Sequence, residues 1–388
     1  MLRPYNHVYV LSEAMDLKLS EEEKLVKDTA AQFVNKELIA REGDYLRQTA
    51  PFLPPGAPAR RDLDPQVAQQ LTARAREVGL WCLELPEEFG GSAMSAVARV
   101  LIHREFGRSI LPFRPVSIPG FLFETTYGAK LADGTLALAL AFQEAHRTGE
   151  LSGLQILYRQ EPDGSVLRDS SIFVSHPNAD LFLFPAREQG TRRLGLFVIE
   201  RDAPGVTITD ETDLTTDGTV ARLLLRQCKI PNEQLLGYEY EAGEIIAAEQ
   251  LNMAARSLGI GMRCLAATIE HARNRITFGR RLAERQAIQW MLADLSVELR
   301  TCTWLTLEAA WRCDQELTYF EEAALAKKRA TKMAFQAADT AIQIHGGYGV
   351  CKEFPFEGFY RETRLMRLLY GREDELERAA GLKYLSAE

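Results

Sequence analysis

The sequence predicts a mostly α-helical chain with a β domain set in its middle: an N-terminal helical domain over 1–130, a β-barrel-like domain over 131–238 and a C-terminal four-helix bundle over 239–388. Three observations predict it. Helix-start signals and helical spacing govern the chain up to Phe106. From about Thr135 the period changes, and short β-prone runs (TLALALAFQ, SIFVSH, DLFLFPAR, LGLFVIERD, VARLLLRQCKI) alternate with Gly, Pro, Asp or Asn. After Leu236-Gly237 the helical period returns and stays.

Each element has a local cause. Ser20 followed by Glu21, Glu22 and Glu23 forms an N-cap with a capping-box carboxylate, which opens a helix to about Leu38. The segment APFLPPGAPARRDLD at 50–64 holds four prolines and is a loop. Helical spacing resumes from Gln66 to Val78, GLWCLELPEEFGG makes a turn, and another helix follows from about Met94 to Phe106. In the last third, helices fall at 244–274, 285–317 and 321–344, with one more at the C-terminus. The second carries Ile288, Leu292, Leu295, Leu299, Cys302 and Leu305 at three- and four-residue steps, an apolar stripe suited to a bundle.

Composition removes several classes of function. At 388 residues, 46% hydrophobic and 26% charged, the chain is expected to be a soluble globular protein of two or three domains. Lys+Arg 46 against Asp+Glu 54 gives a net charge of −8 with no basic block, so no nucleic-acid partner is expected. The six cysteines are scattered, without metal-ligand spacing or a disulfide framework, which fits a reducing, cytoplasmic location and no metal. No apolar run approaches a membrane-spanning length, and MLRPYNHVYVLSEAM is neither a signal peptide nor an Arg-rich transit peptide. It is a candidate leader before a start at Met15.

The densest run of unusual residues is 341–371, AIQIHGGYGVCKEFPFEGFYRETRLMRLLYG. An Ala-rich helix ends at Gly346-Gly347, a pair able to take positive φ and present backbone amides, as a polyanion site requires. Arg361, Arg364 and Arg367 follow at three-residue spacing near one helix face. The bland reading is a helix terminus and a solvated basic face.

QIHGGYG, EFPFEGFYRETR and Gly371, with RITFGRRLAERQAIQWMLADL at 275–295 and LPEEFGG at 85–91, resemble the signatures of the acyl-CoA dehydrogenase family. The resemblance spans most of the chain. It implies an FAD flavoprotein that oxidises an acyl-CoA or acyl-carrier thioester and passes electrons to an electron-transfer flavoprotein. By the same resemblance Arg275 grips the FAD pyrophosphate, Phe278 packs near the cofactor, and Gln286, Gln343 and Gly346-Gly347 complete the cofactor site. That site is commonly shared with a neighbouring subunit, so a homo-tetramer or a hetero-oligomer with a homologous chain is implied. In the family the first strand of the β domain ends in Thr-Glu-Pro followed by Gly-Ser-Asp; this chain has Gln143-Glu144-Ala145 and no recognisable Gly-Ser-Asp. Gln143 still offers a donor and an acceptor, and Ser175 stands where a hydroxyl residue often lies near the flavin.

The base is where the chain departs most. Thioester dehydrogenation needs a carboxylate to take the α-proton, with its pKa tuned upward by desolvation. Most members carry it just before the glycine matching Gly371, where this chain has Tyr370, a phenol and a poor base at neutral pH. The isovaleryl-type minority supplies it from an earlier helix, which here points to Glu249, followed by Gln250 in place of an arginine. Apart from any family, Glu249 shares a face with Ile246, Met253 and Ile260, and an acid on an apolar stripe is paired, protonated or functional. The competing reading is a first-turn Glu favouring the helix N-terminus. Three functions stand: a dehydrogenase forming a trans-2,3-enoyl thioester with Glu249 as base; a low-activity or non-catalytic subunit completing a shared flavin site; and a flavin dehydrogenase or oxygenase acting on a carrier-bound substrate.

Overall fold

The computed structural model describes residues 18–48, 63–89, 91, 93–115, 117–144, 154–214 and 219–386. The candidate leader, most of the proline-rich loop and the segment from Ala145 that replaces the Gly-Ser-Asp motif lie outside these residues.

The first helices start where their caps dictate. At α1 (Glu21–Phe33), Ser20 Oγ accepts from the Glu23 amide at 3.1 Å and the Glu23 carboxylate accepts from the Ser20 amide at 2.7 Å, the predicted capping box. A π turn over Val34–Leu38 carries the chain to the expected end, and α2 (Glu42–Gln48) follows. Asp64 caps α3 (Pro65–Glu77), whose first residue is a proline that needs no amide partner. Ser95 caps α4 (Ala96–Phe106), and the Asp314 carboxylate also accepts from the Ala96 and Val97 amides, at 2.5 and 3.0 Å. A short α5 (Gly128–Ala132) precedes the sheets.

The middle is two packed sheets. Their strands are β1 (Leu138–Leu140), β2 (Gln143–Glu144), β3 (Leu157–Glu161), β4 (Gly164–Leu167), β5 (Ser170–Val174), β6 (Leu181–Glu188), β7 (Leu194–Glu200), β8 (Val206–Asp213), β9 (Thr219–Leu225), β10 (Lys229–Ile230) and β11 (Leu235–Gly237). One sheet runs β10-β4-β3-β6-β7-β11 with β1 beside β6; the other runs β2-β5-β9-β8. Tyr158, Phe182, Phe184 and Phe197 of the first meet Ile172, Val174, Leu223 and Leu225 of the second in one core. The alternate residues of β6 and β7, Leu181, Leu183, Leu196 and Val198, pack the opposite way, against Leu122, Phe123 and Ile245. Burial on both faces is why these strands are continuously apolar.

The last third opens with α6 (Glu239–Asn274), 36 residues long. A hairpin of β12 (Ile276–Thr277) and β13 (Arg280–Arg281) turns through Phe278 and Gly279, both at positive φ, into α7 (Gln286–Asp314). In α8 (Phe320–His345), Ala323, Ala326, Ala330, Ala334, Ala337 and Ala341 are fully buried; residues this small let the α6 and α8 backbones approach closely. The fourth helical member is divided: α9 (Phe356–Met366) and α10 (Glu373–Ser386) meet at a corner where Tyr370 (φ +51°) and Gly371 (φ +104°) leave the helical region. Only Leu295 and Cys302 of the predicted α7 stripe are fully buried, while Trp290, Val297 and Trp304 on α7 are exposed. Among the described residues, no helix is long and apolar enough to cross a membrane.

Candidate active site

Glu249 lies ten residues past Glu239, the first residue of α6, well inside the helix. The first-turn reading of this acid is therefore removed. Its carboxyl sits at the wall of a cavity lined also by Glu84, Arg99, Ser117, Glu244 and Tyr319. Polar contacts run along that wall. Arg99 Nη1 donates to Glu84 Oε1 at 3.1 Å, Ser117 Oγ donates to the same oxygen at 2.8 Å, and Asn252 Nδ2 lies 3.4 Å from Ser117 Oγ and 3.5 Å from Glu249 Oε1. Burial raises the Glu249 carboxyl to about 7, with the Glu84 charge adding to the rise; Asn252, the Arg256 guanidinium and the Tyr370 hydroxyl partly oppose it.

Tyr370 is held against Glu249 by its own backbone. Gln250, standing where an arginine was expected, donates from Nε2 to the Tyr370 carbonyl at 2.7 Å. Lys327, 1% exposed, donates from Nζ to the carbonyls of Gly371 at 2.5 Å and Arg367 at 3.3 Å, which satisfies the end of α9. Desolvation lowers this ammonium to about 8. A Cβ on Gly371 would lie 2.7 Å from Leu376 Cδ2, and its φ suits glycine. The Tyr370 phenol is in hydrogen-bonding contact with the Glu249 carboxyl, and burial and that neighbouring charge raise its pKa. Tyr370 is thus fixed as a partner of Glu249.

Tyr370 and Gly371 also line a second cavity with Leu140, Phe142, Gln143 and Ser175. Leu140 belongs to both cavities. Strand register explains the grouping: Gln143 of β2 pairs with Phe173 of β5, and Ser175 lies just beyond the β5 end. Arg275, Gly346 and Gly347 come together elsewhere, lining an open groove with Thr277, Tyr348 and Cys351. Gly346 has φ +65°, and a Cβ on either glycine would meet nothing within 4 Å, so the groove floor is open. The second cavity and the groove share no lining residue. Phe278, at 99% exposure, and the exposed Gln286 and Gln343 line none of these three spaces. The arginine stripe does not present three open charges: Arg361 pairs with Glu357 at 2.9 Å and Arg367 with Glu373.

The sequence reading did not single out Glu84, Arg99, Asn252, Tyr319 or Lys327. Glu84 immediately precedes the LPEEFGG run, the one local signal that could have marked it.

Comparison with known proteins identifies the family and the fold. Residues 20–120 match the model of the acyl-CoA dehydrogenase N-terminal domain and 239–380 that of the C-terminal domain. A probable acyl-CoA dehydrogenase, YngJ of Bacillus subtilis, is 28% identical over 384 residues, covering 91% of this chain and 95% of its own length. The (R)-benzylsuccinyl-CoA dehydrogenase of Thauera aromatica is 28% identical over 386 residues, covering 92% and 94%. The structure of butyryl-CoA dehydrogenase from Megasphaera elsdenii superposes with a TM-score of 0.80 at 21% identity, covering 96% of this chain and all of that one. With both domain models matched in order around the β sheets, the chain belongs to the acyl-CoA dehydrogenase family, whose members are flavin oxidoreductases that bind FAD and act on CH–CH bonds.

Proposed function

We propose that the protein is a dehydrogenase of acyl thioesters with Glu249 as the base that removes the α-proton. The observation that carries this reading is a carboxyl on the wall of the first cavity, in contact with Tyr370 on the wall of the second, and raised to about 7, which leaves it half ionised near neutral pH, the condition a general base needs. The α C–H bond breaks as its proton moves to Glu249; the β-hydrogen leaves with its electron pair, and the trans-2,3 double bond forms. FAD, when bound, supplies the acceptor for that hydride.

The residues present fit the cofactor. The second cavity has apolar walls of Leu140, Phe142 and Ile246 with Gln143 and Ser175 at its polar edge, a lining suited to a planar heteroaromatic ring. Gln143 and Ser175 are the groups that would hold the ring edge, with Gly371 leaving room beside it. Arg275 with the Gly346-Gly347 amides suits a pyrophosphate. Because the groove and the second cavity share no residue, we assign the groove, Phe278, Gln286 and Gln343 to the flavin of a neighbouring subunit. Exposed Trp290, Val297 and Trp304, at seven-residue steps on one face of α7, and exposed Phe278 at the preceding hairpin suit burial between chains. The altered Gln143 segment favours a hetero-oligomer with a homologous chain as the second reading. An electron-transfer flavoprotein is the proposed electron acceptor.

The test is an anaerobic screen of acyl thioesters against the purified flavoprotein. Bleaching that is lost in Glu249→Gln with flavin still bound supports the assignment. A yellow, well-folded protein that no thioester bleaches overturns it.

A further inference from the structure

Two histidines stand in the groove that holds Arg275. His271, in the last turn of α6, and His345, the last residue of α8, both line it beside the Gly346-Gly347 pair. Their rings stack, with centroids 4.1 Å apart and planes 29° from parallel. His345 is boxed in. It is 5% exposed, the rings of Phe354 and Phe356 lie 5.3 and 4.6 Å from it, and its Nδ1 donates to the Ala341 carbonyl at 2.7 Å. A ring so enclosed is costly to charge. His271 is half-buried and is the more open of the two.

The titratable and charged groups facing His271 are Arg275, one turn further along its own strand of chain, His345 from α8, and Tyr348 and Cys351 beyond the glycines. Among the described residues, no carboxylate lines this groove. Burial, the neighbouring His345 ring and the Arg275 charge hold the His271 imidazole below its ordinary value, so with no anion beside it the ring is neutral near pH 7. A pyrophosphate diester is fully ionised across the neutral range and reverses that balance, because a nearby anion favours the charged imidazole. One proton is the limit, since two imidazolium rings at this stacking distance repel.

Resting on the assignment of the groove to a flavin pyrophosphate, we infer that His271 is a further ligand of that pyrophosphate, bound as the imidazolium, so that the chain takes up a proton when it holds the cofactor. Flavin therefore binds more tightly as pH falls, and the gain levels off once His271 is protonated without the cofactor as well.

The experiment dialyses the flavin-loaded protein to equilibrium at pH 5.5, 7.0 and 8.5 and reads released FAD by its fluorescence. Wild-type affinity should be about tenfold higher at pH 5.5 than at pH 8.5, the order expected of one charge-assisted hydrogen bond gained on acidification. His271→Phe keeps a ring against His345; it should bind FAD within about twofold of the wild type at pH 8.5 and lose the gain at pH 5.5, and His271→Gln should do the same. Glu249→Gln, which removes the other group titrating near neutrality, should keep the gain. Four results overturn the inference: a wild-type affinity flat with pH, a gain that survives both His271 substitutions, a loss in them that is equal at every pH, or a gain that disappears in Glu249→Gln. If Arg275→Ala still weakens FAD binding in any of those cases, the groove assignment stands without the histidine. Arg275→Ala with unchanged FAD affinity overturns the groove assignment and this inference together. No thioester enters the measurement, so its outcome does not depend on Glu249 being the base.

Discussion

Replacing Tyr370 with phenylalanine is the most informative perturbation of this site. The phenol is in hydrogen-bonding contact with Glu249 and is one of the groups holding that carboxyl down to about 7 against burial and the Glu84 charge. A hydrogen bond to a charged group is worth about 1.5 to 3 kcal/mol and one pKa unit is about 1.4 kcal/mol, so its loss should move the base upward by roughly one to two units. In the wild type the bleaching rate should rise about tenfold per pH unit up to neutrality and then level off, because only the ionised carboxyl accepts the proton. In Tyr370→Phe the same curve should be displaced to higher pH, so that the rate at pH 7 falls about five- to fiftyfold and returns to within about twofold of the wild-type plateau at pH 9. Stopped-flow bleaching across pH 5.5 to 9.5 is the assay. An unmoved curve would refute the coupling, and a loss that no pH restores would make Tyr370 itself a participant in proton removal.

Other perturbations follow from the same contacts. Glu249→Gln should slow bleaching by about 10² to 10⁴ at pH 8, where the wild-type carboxyl is ionised, while flavin stays bound, as the loss of a general base requires; bleaching near the wild-type rate moves the base elsewhere. The same substitution should change the pH dependence of stability. The folded carboxyl holds its proton up to about 7 against 4.5 for the free group, so wild-type stability declines as pH rises through that window, and melting curves at pH 5 and 8 should differ less for the mutant. Arg275→Ala should weaken flavin binding roughly ten- to hundredfold without loss of helix content, measured by flavin release and far-UV circular dichroism. Lys327→Met leaves the Arg367 and Gly371 carbonyls buried without their donor and should cost about 1 to 3 kcal/mol in urea unfolding.

The architecture was legible because its signals are local. Capping at Ser20, the change of period near Thr135 and the return of helical spacing after Gly237 each depend on a few neighbouring residues. Two groupings in the site were also legible, since short motifs hold Gly346 with Gly347 and one strand pairing holds Gln143 near Ser175. The start of α6 was placed too late, because YEYEAG carries no Ser, Thr, Asp or Asn cap; Tyr238 and Glu241 close the end instead. That error made Glu249 resemble a first-turn acid. The polar wall was hidden for a different reason. Glu84, Arg99, Ser117 and Glu244 come from a turn, a helix, a loop and a second helix, and only the folded chain brings them together.

Recognition and chemistry are not separable in this pocket. Glu84 lines the same cavity as Glu249, and its charge is also one of the forces that weakens Glu249 as an acid. A change such as Glu84→Gln, made to admit a different acyl group, would therefore also strengthen Glu249 as an acid and leave a feebler base, more fully ionised at low pH. Redesign of selectivity here has to be followed by a pH–rate profile, since a variant can gain a new substrate and change its working pH in the same step.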